Sequence, residues 1–116
     1  MIQINRKGQG DLYVPAGHDN TVSSRKMYYP GNGCDKVDTH ITTFAPGAGM
    51  AEETHPFSDH IMYLLKGKLE LRQGGKTIAI LVEGDAVRIP AGNAHQVRNP
   101  GSEDGTFFVI TVPPIK

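Results

Sequence analysis

The chain has 116 residues, 38% of them hydrophobic, with 12 Lys plus Arg balanced by 12 Asp plus Glu. That length holds one domain, in which about two-thirds of the unfolded surface can be buried. Zero net charge, with the basic residues scattered, argues against nucleic acid or an anionic membrane as the main partner, because both are bound through clustered positive charge.

Fourteen Gly and eight Pro are spread along the chain. They cut it into short segments, which is the punctuation of many short strands rather than of helices. No window longer than ten residues keeps helical apolar spacing without a Gly or Pro in it. The expected fold is therefore all-β. Residues 1–34 read as an N-terminal arm with weak strands at Ile2-Gln3-Ile4, Leu12-Tyr13-Val14 and Met27-Tyr28-Tyr29. No apolar stretch follows the basic residues of the N-terminus, so no signal peptide is expected and the cytoplasm is the expected location. The single Cys34 excludes an internal disulfide and a thiolate-cluster metal site, and reads as a spare thiol.

From Asp35 the strand signal strengthens. Val37 to Phe44 alternates and is rich in β-branched residues, as strands prefer. A strand is expected around Met50 to His55, then another from His60 to Lys66, and Gly67 turns the chain into Lys68–Arg72. Gln73-Gly74-Gly75-Lys76 is a hairpin turn leading into Thr77–Val82. The stretch Gly84–Asn99 combines an apolar alternation, a Pro-x-Gly turn and a histidine, and Thr106–Val112 is the last strand. About eight central strands with short connections, over residues 35–112, point to a closed barrel or jelly roll. The run Ile61–Leu65 is apolar on both faces and too short to span a bilayer. If His60 points inward, so do Met62 and Leu64, while Ile61, Tyr63 and Leu65 face out and need cover. A homodimer is the expected cover.

Four residues draw attention as metal ligands. Glu53 and His55 lie two apart, so on a strand both project from one face. His60 opens the next strand after a short turn, and His95 sits far along the chain on another. Three imidazoles and a carboxylate suit Mn, Fe, Ni, Cu or Zn. Each residue also has a plainer role available. His95 could be a hydrogen-bonded barrel histidine, His60 a turn residue and Glu53 a solvated charge. The joint reading gains from concentration, since three of the five histidines fall at barrel-compatible positions. His18, in a Gly-Asp loop, is expected in solvent. His40 shares a strand face with Asp38 and Thr42, where it could be core, cavity wall or surface.

The stretch Gly84–Asn99 resembles the second motif of the cupin superfamily, G-x5-P-x-G-x2-H-x3-N, with Gly84, Pro90, Gly92, His95 and Asn99 at every fixed position. The first motif, G-x5-H-x-H-x3-4-E-x6-G, is matched by Gly47, His55 and Gly67. Glu53 stands at its first histidine and His60 at its glutamate. The resemblance covers residues 35–112 and implies a cupin double-stranded β-helix (a jelly-roll barrel), one mononuclear divalent metal held by Glu53, His55, His60 and His95, and frequent dimerisation. Moving the carboxylate to another position keeps one negative ligand in the set. The resemblance also implies an enzyme acting on a small organic molecule. Oxygen-dependent, dioxygenase-type chemistry comes first, with redox-neutral isomerase, lyase or cyclase chemistry and a non-catalytic metal or ligand binder as alternatives. An acid/base partner would come from the barrel wall, where His40, Tyr63 and an unligated Glu53 are the candidates.

Overall fold

A computed structural model describes residues 1–115 of the chain. Nine strands run in order: β1 (Leu12–Tyr13), β2 (Val22–Lys26), β3 (Asp38–Phe44), β4 (Asp59–Lys66), β5 (Lys68–Gln73), β6 (Lys76–Val82), β7 (Ala86–Ile89), β8 (Gln96–Arg98) and β9 (Gly105–Val112). A 3-10 turn at Pro30–Asn32 separates β2 from β3. The strands form a six-stranded sheet, β1-β2-β3-β9-β4-β7, and a three-stranded sheet, β6-β5-β8, with every pairing antiparallel. This is the jelly-roll arrangement expected from the sequence, with neighbours such as β3 and β9 more than sixty residues apart in the chain.

The core lies between the two sheets. Period-two alternation is cleanest on β9, where Phe107, Val109 and Thr111 are buried and their neighbours are not. On β4, His60, Met62 and Leu64 point inward, and Ile61, Tyr63 and Leu65 stand on the outer face, as the alternation requires. Leu69, Leu71, Leu81 and Val97 close the core from the smaller sheet.

Three expected strands are absent and one unexpected strand is present. Ile2–Ile4 and Met27–Tyr29 are not strands, and Val22–Lys26, which reads as polar, is one. It pairs with β3 because its inward residues suit that neighbour. Val22 is wholly buried, and the buried Ser24 hydroxyl lies 2.7 Å from that of Thr42. The Met50–His55 stretch makes only isolated bridges, His18 with Met50 and Glu53 with His95.

Two motif residues turn out to be architectural. Gly67 sits at φ +78 between β4 and β5, and a Cβ there would collide with the Asp104 carbonyl. Asn99, 1% exposed, donates to the carbonyls of Phe44 at 2.8 Å and Glu103 at 2.7 Å and accepts from the Gly101 amide at 2.9 Å. Its backbone also bonds Gly47 and Ala48, so the end of the second motif is tied to the start of the first. Asn99→Ala strands the buried Phe44 carbonyl and removes two part-buried hydrogen bonds, and is expected to cost about 2 kcal/mol, read as a lower urea midpoint with an unchanged slope.

Candidate metal centre

Backbone contacts bring the two motif stretches together. The Gly92 amide, in a turn whose φ of +83 favours glycine, donates to the His55 carbonyl at 2.9 Å. Asp59, the first residue of β4, accepts from the Ala91 amide at 2.9 Å and from the Arg88 guanidinium at 2.9 Å. The turn is thus anchored beside His60. The backbones of Glu53 and His95 exchange both hydrogen bonds, each 2.9 Å long. Convergence of Glu53 and His55 comes from these ties rather than from a continuous strand.

The side chains meet in one place. The His55 and His60 rings stack, with centroids 4.3 Å apart and planes 3° from parallel, and His95 stands 5.5 and 5.4 Å from them. One nitrogen from each of the three rings lies within 4.8 Å of the others. Glu53 Oε1 is 3.1 Å from His55 Nε2 and 3.4 Å from His95 Nε2, on the His55–His95 side of the group.

The electrostatics follow from burial. Desolvation, reinforced by His55 and His95, holds the His60 pKa down to about 3, so its ring is neutral at physiological pH. Burial raises the pKa of Glu53, but the hydrogen bond from His95 and the proximity of His55 outweigh it and bring the carboxyl to about 2. The result is a carboxylate among imidazoles of which at least one must stay unprotonated.

This cluster opens on a cavity of about 460 Å³. Apolar Phe44, Met50, Met62, Val97, Phe107 and Val109 line its walls, and Thr111 lies beside His60. His40 lines the same cavity, together with Asp38 and Lys26. His18 is a correction. It is half-buried rather than in solvent and lines the cavity, with its ring 5.9 Å from that of Phe44. Tyr63 is the second correction, because its odd position on β4 leaves it 46% exposed on the outer face, away from the cavity. Lys26 and Thr111 were not singled out from sequence. Only the strand register places them near the histidines.

A family model for the cupin domain matches residues 40–111. The chain belongs to the cupin family. Among curated relatives, this cupin is 36% identical over 90 residues to the tetracenomycin polyketide synthase protein TcmJ of Streptomyces glaucescens, covering 77% of this chain and 60% of that protein. It is 32% identical over 113 residues to the polyketide synthase CurC of Streptomyces cyaneus, covering 97% of this chain and 65% of that protein. The cupin therefore spans less than two-thirds of either relative's length. Its fold is shared with the polyketide cyclase RemF from Streptomyces resistomycificus, at a TM-score of 0.86 and 19% identity, covering 98% of this chain and 81% of that one.

Cupin barrels often bind metal, and the donors present here fit one. His60 is buried, yet the nearest partner of its Nε2 among the described residues is the Thr111 hydroxyl at 3.5 Å, the limit of hydrogen-bond distance. A neutral imidazole so poorly satisfied, beside two more and a carboxylate, is a donor set that could hold a cation. Among the described residues no helix is long and apolar enough to cross a membrane.

Proposed function

We propose that this cupin is a metal-dependent enzyme that catalyses redox-neutral cyclisation of a small enolisable molecule of the polyketide class. The observation that carries this reading is the convergence of His55, His60, His95 and Glu53 on one end of a 460 Å³ cavity with apolar walls. The size suits a ligand of one to three rings. Resemblance to TcmJ and CurC, whose names place them in polyketide synthesis, supports the substrate class.

His55, His60, His95 and Glu53 would hold one divalent transition metal, with Mn, Fe, Ni, Cu or Zn all compatible with the donors. When bound, the metal supplies Lewis-acid polarisation of a substrate oxygen. The chain's own residues do the rest. Low His60 basicity keeps that ring available as a donor, and the apolar walls exclude water from a reactive enolate. Oxygen-dependent chemistry, placed first from sequence, is the alternative, because the same N/O set serves dioxygen-using metals.

The test is turnover of a linear poly-β-ketone thioester by metal-loaded protein under nitrogen. The expected product forms at the same rate with and without oxygen and contains no added oxygen atom. Stoichiometric oxygen consumption would move the protein to the oxidative class, and no turnover in either gas would leave a binding role. The proposal includes a homodimer that covers the outer face of β4, where Ile61, Tyr63 and Leu65 stand exposed. Sedimentation at micromolar concentration is expected to give twice the chain mass.

A further inference from the structure

At the far side of the same cavity, two polar atoms are buried without partners. Asp38 Oδ1 and His40 Nδ1 are each enclosed and make no hydrogen bond among the described residues. They lie 3.4 Å from each other, too poorly aligned to bond as they stand. Orphaned buried polar atoms cost about 1–3 kcal/mol each, so their persistence calls for an explanation.

The register shows why they face the cavity. Asp38 pairs with Thr111 of β9, which pairs with His60 of β4, so the three side chains form one row across the inner face. His40 belongs to the next row, flanked by Lys26 of β2 and Val109 of β9. Two strand spacings separate Asp38 from His60, which is about 10 Å. The other oxygen of Asp38 accepts from Lys26 Nζ at 3.3 Å, and that ammonium lies 4.7 Å from the centre of the Tyr29 ring. The His40 ring beside it keeps the Asp38 carboxyl below its ordinary range despite burial, and Lys26 adds to the effect. A carboxylate fixed by Lys26 and facing Nδ1 favours the tautomer with its proton on Nδ1. The His40 Nε2, which has no partner among the described residues, is then left as the free base.

We propose that His40, positioned by Asp38, is the proton-transfer residue for a substrate one of whose oxygens sits at the histidine cluster, two strands away across the inner face. This rests on the proposed cyclisation and deepens it. A proton next to a substrate carbonyl other than the one held at the cluster passes to His40 Nε2, and the C–H electron pair stays on the substrate as an enolate. The enolate carbon then forms a C–C bond to a second carbonyl of the same molecule, whose oxygen takes the proton back from the imidazolium. One C–H and one C=O π bond are exchanged for one C–C and one O–H bond, so no oxidant or reductant is needed. Asp38 offsets the transient charge on the imidazolium.

The test uses the full chain loaded with zinc and 1,3-dihydroxynaphthalene as a planar, enol-like probe. Binding can be followed by the probe's own fluorescence, because the chain has no tryptophan. His40→Asn retains a donor toward Asp38 but removes Nε2, and with Asp38→Asn it is expected to weaken probe binding at least tenfold while zinc affinity stays within twofold. Long-range nitrogen NMR of the wild type is expected to show His40 as the Nδ1–H tautomer, and Asp38→Asn to lose that preference. A merely structural pair would leave probe affinity unmoved. Equal probe binding by His40→Asn, no probe binding by zinc-loaded wild type, or an Nε2–H tautomer in wild type each overturns the proposal. Should zinc fail to bind while the probe still shifts the His40 resonances, the metal reading falls and the proton-transfer pair stands.

Discussion

His95→Ala is expected to weaken binding of zinc, nickel or manganese at least a hundredfold and to remove most of the thermal stabilisation expected from those metals in the wild type. The side chain is almost fully enclosed, and its backbone is locked to Glu53 by two hydrogen bonds, so no neighbouring group can swing into its place. Changes that merely disorient a ligand already cost about 10–100-fold in affinity, and deleting one costs more. At a metal concentration near a thousand times Kd, the wild type gains about 4 kcal/mol, which for a chain this size raises Tm by roughly 15 °C. Glu53→Gln keeps the shape and removes the charge, so it separates a ligand from a bystander. About a tenfold loss is expected if the carboxylate binds, and His18→Ala, outside the cluster, should change nothing. Metal content by elemental analysis and Tm with and without metal decide the matter. A His95→Ala protein that retains metal and its Tm shift would place the site elsewhere.

The fold was legible where side-chain period and turn chemistry coincide. β4, β6 and β9 carry apolar residues in strand spacing bounded by Gly or Pro, and each lies where the pattern puts it. β2 escaped because Ser24 and Thr42 satisfy one another inside the sheet, so a core strand reads as polar. The convergence of Glu53, His55, His60 and His95 was readable from motif spacing, since a turn that must bond the His55 carbonyl leaves few positions for the next histidine. Asp38 and Lys26 were not readable in that way. Their place beside the cavity depends on the β2-β3-β9-β4 register, which brings together residues from four separate parts of the chain. Tyr63 shows the opposite case. Period two had already put it on the outer face, and its hydroxyl alone gave it a chemical role the strand denies it.

Acid should undo the metal-free protein well before it undoes an ordinary barrel of this size. His60 has a folded pKa of about 3, against 6.5 when exposed, so between those values the unfolded chain holds a proton that the folded chain does not. Stability is therefore complete above pH 6.5 and falls as pH drops toward 3, by about 1.4 kcal/mol per pH unit. Glu53, lowered from 4.5 to about 2, adds a loss of the same sign that begins below pH 4.5. At pH 5 the His60 contribution alone is down by about 2 kcal/mol, which lowers Tm by roughly 8 °C relative to pH 7. Calorimetry on protein stripped with a chelator is expected to show this slope, and His60→Leu, which fills the same apolar space without titrating, is expected to flatten it between pH 6.5 and 4.5. Bound metal competes with protons for the same nitrogens, so the loaded protein should hold its Tm to lower pH and release its metal as the imidazoles charge. A Tm of the stripped protein that stays level from pH 7 to 4.5 would show that the ring is not buried neutral, and would remove the electrostatic reason for expecting a cation there.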